Sequence, residues 1–251
     1  MESARLRECL ASDFARLRDM AATVDLARPV PSCPDWTLSD LVRHVGAVYL
    51  HKVECMRQGV NPQPWPPAGV ETEDPLALLD RAYAALAAEF DSRTPESPAF
   101  TWYAPDQTVG FWIRRMAQET VIHRVDAELA AGAGLAPIPD DLALDGIDEF
   151  LIAFVEFGTR TWPEDFHDVL ATADGRSVLL DAAGTGWLVR PTPDSVEVRM
   201  SDLEGASATV AGKPADLLLW SWNRVDDSAV AITGDPTLIA DLRRVFTAGA
   251  Q

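Results

Sequence analysis

The chain has 251 residues with 39 acidic and 21 basic side chains, a formal net charge of −18, and it is 47% hydrophobic and 24% charged. That balance is globular and excludes a mainly disordered chain. So acidic a chain, with only two lysines, offers no broad electrostatic footprint for nucleic acid or for an anionic membrane, so neither is expected as a partner.

At roughly 150 residues per domain the length suggests two domains or one large one. The acidity is uneven: residues 1–130 carry 19 acidic and 13 basic groups, net −6, and residues 131–251 carry 20 and 8, net −12. Three cysteines, Cys9, Cys33 and Cys55, with no CxxC spacing support neither a disulfide framework nor a cysteine zinc site. The first residues lack the apolar core of a secretion signal, and no run approaches about 18 uninterrupted apolar residues. A cytoplasmic protein is expected.

In chain order, Leu6, Leu10, Phe14, Leu17 and Met20 recur near a 3.6-residue period and predict a helix from about Arg5 to Ala22. The stretch Pro29 to Pro34 breaks it. Thr37 and Asp40 then resemble a capping box, opening a helix through Leu41, His44, Val45 and Val48 to about Met56. Residues 59–75 hold five prolines and two glycines and read as a loop. A loop of that length either lines a site or is a plain exposed connection. Asp74-Pro75 sets an N-cap and a first-turn proline for a helix to about Phe90. A fourth helix is expected from about Val109 to Ala131, and four such helices suggest a bundle.

GAGLAPIPDD (132–141) is the candidate linker. A helix from about Asp140 to Phe157 follows, and then the period changes. RSVLLDA, GWLVRP and SVEVRM read as a meander of strands, followed by the strand ATVAG, the apolar helix PADLLLWSWNR, the strand AVAIT and a helix from Pro236 to about Phe246. The fold class is therefore α+β: a helical N-terminal domain over 1–135 and a smaller α+β domain with an antiparallel sheet over 136–251.

Histidine is scarce, with four in the chain, so each can be weighed. His123 lies four residues after Glu119, and side chains at i and i+4 share a helix face. A carboxylate and an imidazole so placed can bind one metal ion, with His44 on the second helix as third ligand. Two His and one Glu is a ligand set of catalytic zinc and leaves a position open. The same spacing also suits an ordinary surface ion pair, and spacing does not choose between them. His51, seven residues after His44, sits about two turns or 10.5 Å along the axis, too far to bind the same ion. His167 reads as a loop residue. Cys9 and Cys55 read as buried, inert thiols, and Cys33 sits between prolines with no adjacent base. No GxSxG, P-loop or dinucleotide fingerprint is present.

Two longer motifs go further. Residues 30–44, VPSCPDWTLSDLVRH, match every fixed position of V-P-x-C-P-x-W-S/T-x-x-D-L-x-x-H, and residues 119–128 match E-T/S-x-x-H-R-x-D-A-E. In order and spacing they resemble the mycothiol-dependent maleylpyruvate isomerase family, within the larger group of DinB-like metal-binding helical bundles. The segment from Ala208 to Arg224, followed by GDPTLIADL, is more weakly similar to that family's C-terminal domain, which resembles sterol carrier proteins.

The resemblance implies a DinB-like four-helix bundle that binds a divalent metal, zinc above all, through His44, Glu119 and His123. It implies mycothiol, a low-molecular-weight thiol of actinobacteria, as cosubstrate, and a role in activity for Arg224. One departure is Gln118, where many members have a histidine. A thiol of pKa near 8.5 is mostly protonated at neutral pH and is deprotonated outright on a metal. A metal-bound thiolate can then add to a small electrophilic substrate, giving isomerisation after elimination or an S-transfer product. Arg224, with Arg114 or Arg115, suits substrate carboxylates. Asp126 is placed either to orient a ligand or to form a local salt bridge, and Trp36 and Trp102 are core or pocket wall. Two other classes stay open: a metal-binding bundle acting as a binding or regulatory module, and a metal-dependent hydrolase.

Overall fold

The computed structural model describes residues 1–201 and 205–250, and the chain divides into two compact units that meet at Ala136 and Pro137. In the first, helices α1 (Ser3–Thr23), α2 (Leu38–Gln58), α3 (Pro75–Asp91) and α4 (Val109–Ala131) form the bundle. α1 packs along α4, α2 along α3, and α2 also meets α4. The helix starts are set locally. The Thr37 hydroxyl accepts the Asp40 N–H while the Asp40 carboxylate accepts the Thr37 N–H, a complete capping box. The Asp74 side chain accepts the Ala77 N–H at 3.0 Å ahead of Pro75.

Pro29 to Pro34, expected only as a break, lie with the residues up to Thr37 in an antiparallel ribbon of β1 (Pro29–Val30) and β2 (Cys33–Thr37). A two-stranded ribbon is all edge, so its prolines remove no ladder bond the fold needs. The ribbon packs on α2 and α4, which matters for the site below.

α4 is buried on nearly every face, including Arg115, Gln118, Thr120, His123, Arg124, Asp126 and Glu128. Buried polar groups must be partnered. Arg124, fully buried, donates to Asp13 of α1 at 3.0 Å and to Glu128 at 2.8 Å. Arg16 of α1 reaches the Glu128 carboxylate at 2.8 Å, and that carboxylate also accepts the Ala136 N–H. This network clamps α1 to α4 and ties the start of the expected linker back onto the bundle.

In the second unit α5 (Asp140–Glu149) continues through a π-helical turn (Phe150–Glu156) into α6 (Phe157–Thr161). His167, expected in a loop, lies on α7 (Pro163–Leu170), exposed beside Asp168. Pro163 in the first turn with Glu164 and Asp165 behind it is a helix start. The sheet runs β5-β4-β3-β6-β7, from β3 (Val178–Ala182), β4 (Thr185–Pro191), β5 (Val196–Ser201), β6 (Ala208–Gly212) and β7 (Ala231–Gly234). β3, β4 and β5 form the antiparallel meander the sequence predicts, and β7 is antiparallel to β6. β6 itself lies parallel to β3.

α8 (Pro214–Ser221) packs on α5, and α9 (Pro236–Gly249) packs on β3 and β6. Gly234 has φ +90°, and a Cβ there would sit 2.4 Å from the Ser207 carbonyl oxygen, so only glycine fits. Arg224 follows α8 in a Schellman turn: Asn223 takes the left-handed conformation at φ 59°, its N–H donates to the Trp220 carbonyl and the Arg224 N–H to Leu219. Among the described residues no helix is long and apolar enough to cross a membrane.

Two substitutions test these devices by urea unfolding. Arg124→Ala, which strands the Asp13 carboxylate and takes one of two arginines from Glu128, is expected to cost about 3–5 kcal/mol. Thr37→Ala is expected to cost about 1 kcal/mol through the lost cap.

Candidate metal centre

The bundle brings together the three residues that spacing alone could only pair. His44 lies two turns into α2, and Glu119 and His123 lie a turn apart on α4. Each offers a ligand atom within 4.8 Å of the others. The Glu119 Oε1 atom is 3.3 Å from His44 Nε2 and 3.2 Å from His123 Nε2. Ligands about 2.0–2.1 Å from a tetrahedral zinc are separated by about 3.3 Å, so both spacings suit one ion. The His44 side chain is 28% exposed, against 13% for Glu119 and 11% for His123, so the site opens on the His44 side. Three protein ligands and one open side leave room for an exogenous donor.

Two of the three side chains are held by a further group. Arg115, one turn before Glu119, donates to its Oε2, leaving Oε1 to face the imidazoles. Arg115 is therefore engaged by Glu119. Asp126 Oδ2 lies 2.9 Å from His123 Nδ1, and a carboxylate there holds the proton on Nδ1 and presents Nε2 to a metal. Asp126 is in turn fixed by Ser32 Oγ, which donates to Oδ1 at 2.5 Å. Ser32 sits at the turn of the ribbon, in the stretch read from sequence only as a break. Its signal was its place inside the VPSCPDW motif. Of the two readings of Asp126, the contact with His123 is a local ion pair that is also placed to orient the imidazole.

The electrostatics favour a cation. Burial on its own would raise the Glu119 pKa, but His123 and Arg115 beside it hold the carboxyl well below its usual range. Burial on its own would lower the His123 pKa, but Glu119 and Asp126 outweigh it and push the imidazole up to about 9. A site that binds a proton so firmly between two carboxylates has the charge to hold a metal ion in its place.

Aromatic rings wall the opening. The Trp36 ring lies 4.7 Å from the His44 ring and 6.3 Å from that of His123. Trp65, from the long 59–75 loop, lies edge-on to His44 at 6.3 Å. With Arg43, Ala47 and Val70 they line a cleft of about 440 Å³ at His44. The loop thus lines a site. Trp102 packs against Tyr103 and Phe111 instead. Cys9 and Cys55 are buried as expected. His51 is buried away from the ligand set, against Trp65 at 5.1 Å, with Cys55 Sγ 3.6 Å from its Nδ1. Arg224 lies in the second unit, where its Nη1 donates to the Trp222 carbonyl at 2.6 Å. Gln118 is buried on α4.

Comparison with known proteins places this arrangement. Residues 7–128 match the model of the mycothiol maleylpyruvate isomerase N-terminal domain, and residues 141–241 match the model of that family's C-terminal domain. No curated protein sequence matches the chain. Among solved structures, the crystal structure of a mycothiol-dependent maleylpyruvate isomerase superposes with a TM-score of 0.61 at 17% identity, covering 94% of this chain and 95% of the other. A histidine-to-alanine mutant of the mycothiol-dependent maleylpyruvate isomerase superposes with a TM-score of 0.62 at 14% identity and the same coverage. At such identity the likeness is one of fold.

Two measurements probe this environment. Asp126→Ala is expected to weaken zinc binding by about 10–100-fold in a competition titration, with the bundle intact. Burial, with the Lys52 charge beside it, pushes the His51 pKa down to about 4, below an unfolded value of about 6.5. As pH falls through that window the unfolded chain takes a proton that the folded chain refuses, so stability is lost between about pH 6.5 and 4. His51→Asn should flatten that part of the urea-stability profile relative to wild type.

Proposed function

The chain belongs to the mycothiol-dependent maleylpyruvate isomerase family, and from that premise we propose that it is a metal-dependent enzyme using mycothiol as cosubstrate against a small electrophile. The observation that carries the reading is the convergence of His44, Glu119 and His123 with one side open. The donor set fits zinc or a similar divalent ion. Such an ion, when bound, supplies the acidity that turns a thiol into a thiolate at neutral pH.

The chain's own residues do the rest. Glu119 and the two imidazoles would hold the ion, Arg115 aims Glu119 and Asp126 aims His123, and Trp36 and Trp65 wall a cleft that Asp35, Asp40, Arg43 and Glu71 also line. In the reaction, the thiol sulfur adds to a carbon of an alkene conjugated to a carbonyl. A C–S bond forms, the C=C π pair moves onto the carbonyl, and the former double bond rotates. Expulsion of the same sulfur restores the alkene as its isomer, so isomerisation consumes no reagent. If a proton instead quenches the adduct, the S-conjugate is the product. We assign Arg224 a part in activity, in line with the family resemblance of the segment that it ends.

Metal analysis of purified protein is expected to find about one equivalent, absent from His44→Ala and His123→Ala; stoichiometric metal in both variants would reject the ligand set. Calorimetric titration with mycothiol should give saturable heat. A metal-loaded protein that ignores mycothiol would point to a binding module, or to a hydrolase if it cleaves ester or amide panels. Arg224→Ala should retain metal and lose turnover with an accepted electrophile.

A further inference from the structure

The long loop that walls the metal cleft is fastened to α2 at both ends, and α2 is the helix that carries His44. At the far end Arg43 Nη1 donates to the Val70 carbonyl at 2.7 Å, and Val70 is buried with Ala47 and Leu78. At the near end the anchor is His51, two turns beyond His44 and buried. It hydrogen-bonds with the Asn61 side chain and the Pro62 backbone. Its ring also meets that of Trp65 edge-on at 5.1 Å.

The groups around the imidazole fix where it carries its proton. The Lys52 ammonium lies 3.1 Å from Nδ1, and the Cys55 Sγ atom lies 3.6 Å from it. An ammonium only donates, so Nδ1 accepts; a proline has no N–H, so the Pro62 backbone offers only its carbonyl. The imidazole proton therefore sits on Nε2 and is donated to the Pro62 carbonyl. Burial, with the Lys52 charge beside it, keeps the ring neutral at a pKa of about 4. Burial lowers the Lys52 pKa in turn, while Cys55 and Glu119 oppose that shift. Neither His51 nor Lys52 belongs to the ligand set, yet both stand against one indole, Lys52 at 5.7 Å from the Trp65 centroid.

That indole is where the loop meets the site. Trp65 is 46% exposed and lies 6.3 Å from the His44 ring, on the open side of the ligand set. A half-bare aromatic ring at the mouth of a cleft is a contact surface for a molecule that enters it. An indole on a free loop would lose its freedom at each binding event, whereas an anchored one has lost it already in folding.

We propose that His51 is a positioning residue: by anchoring the loop at Asn61 and Pro62 it holds Trp65 at the mouth, where the indole contacts the body of the incoming thiol. The inference rests on the functional reading above and adds the residue that pre-forms one wall of the thiol's path. His51 acts through Trp65 and touches neither the metal nor the thiol.

The test uses the cobalt(II)-loaded full chain, in which a bound thiolate gives a sulfur-to-cobalt absorption band. Two thiols are titrated: mycothiol, and 2-mercaptoethanol, which has almost no body beyond its sulfur. Mycothiol is expected to bind about 5- to 10-fold more weakly to His51→Phe and to Trp65→Ala, with 2-mercaptoethanol changed by less than about twofold. His51→Gln keeps an N–H donor near the place of Nε2 and should restore most of the mycothiol affinity. In the double variant the two losses should not add, since one residue acts through the other. Additive losses, equal losses for both thiols, or wild-type mycothiol affinity in either single variant overturn the proposal. Trp65 is exposed, so Trp65→Ala keeps the test decisive if His51→Phe folds poorly.

A second readout needs neither metal nor thiol. Thermolysin cleavage within residues 59–75, followed by mass spectrometry, should be about 10-fold faster in His51→Phe than in wild type, and an unchanged rate overturns the anchor. Absence of the cobalt–sulfur band from wild type with either thiol rejects the functional reading, and the thiol contact with it. A normal wild-type band with affinities unmoved in the variants rejects the His51 assignment alone.

Discussion

Burying charge on one helix is the constraint from which the rest of the N-terminal unit follows. α4 runs through the bundle with arginine, histidine, aspartate and glutamate side chains on buried faces, and each uncompensated charge there would cost several kcal/mol. The fold answers them with partners from other elements and from α4 itself. Asp13 and Arg16 of α1 complete the Arg124–Glu128 pair, Ser32 of the ribbon completes Asp126, and Arg115 completes one oxygen of Glu119. What remains is the other Glu119 oxygen between two imidazole nitrogens, an arrangement that a cation finishes. That cluster of one carboxylate oxygen and two imidazoles has the donor set of a metal site.

The same logic explains the two irregular segments around it. The proline-rich ribbon is short and twisted against α2 and α4 because it has three tasks in nine residues: Ser32 orients Asp126, Trp36 covers His44, and Thr37 caps the helix that carries His44. The long loop contributes Trp65 to the opposite wall. Rigid helices carry the ligands and irregular chain carries the walls, which keeps the ligand geometry insulated from changes that alter what the cleft accepts. Two of the chain's three thiols are masked: burial pushes the Cys55 pKa up to about 11 and Cys9 is buried, while Cys33 of the ribbon is half-buried.

What was legible in the sequence was local. Helix periods, the Thr37–Asp40 box, the Asp74-Pro75 start and the i,i+4 pairing of Glu119 with His123 depend on neighbours within a turn or two, and such terms are written in consecutive residues. They determined four helices, the strands of a second unit and, through two long motifs, the identity of three ligand candidates. Where the local code was ambiguous, as at 163–170, a helix start was read as loop.

Only the tertiary structure decided which of these candidates meet. Spacing could not tell an exposed Glu–His pair from a ligand pair, because the distinction lies in burial and in the approach of α2, 75 positions earlier in the chain. It could not show that Pro29 to Thr37 pairs into a ribbon, that β6 lies parallel to β3, or that Arg115 faces Glu119. Nor could it show that the single lysine of the bundle lies by two indoles. Most are contacts between residues far apart in sequence, set by how the helices pack, and in a chain of net charge −18 it is packing that determines which positive groups meet a carboxylate.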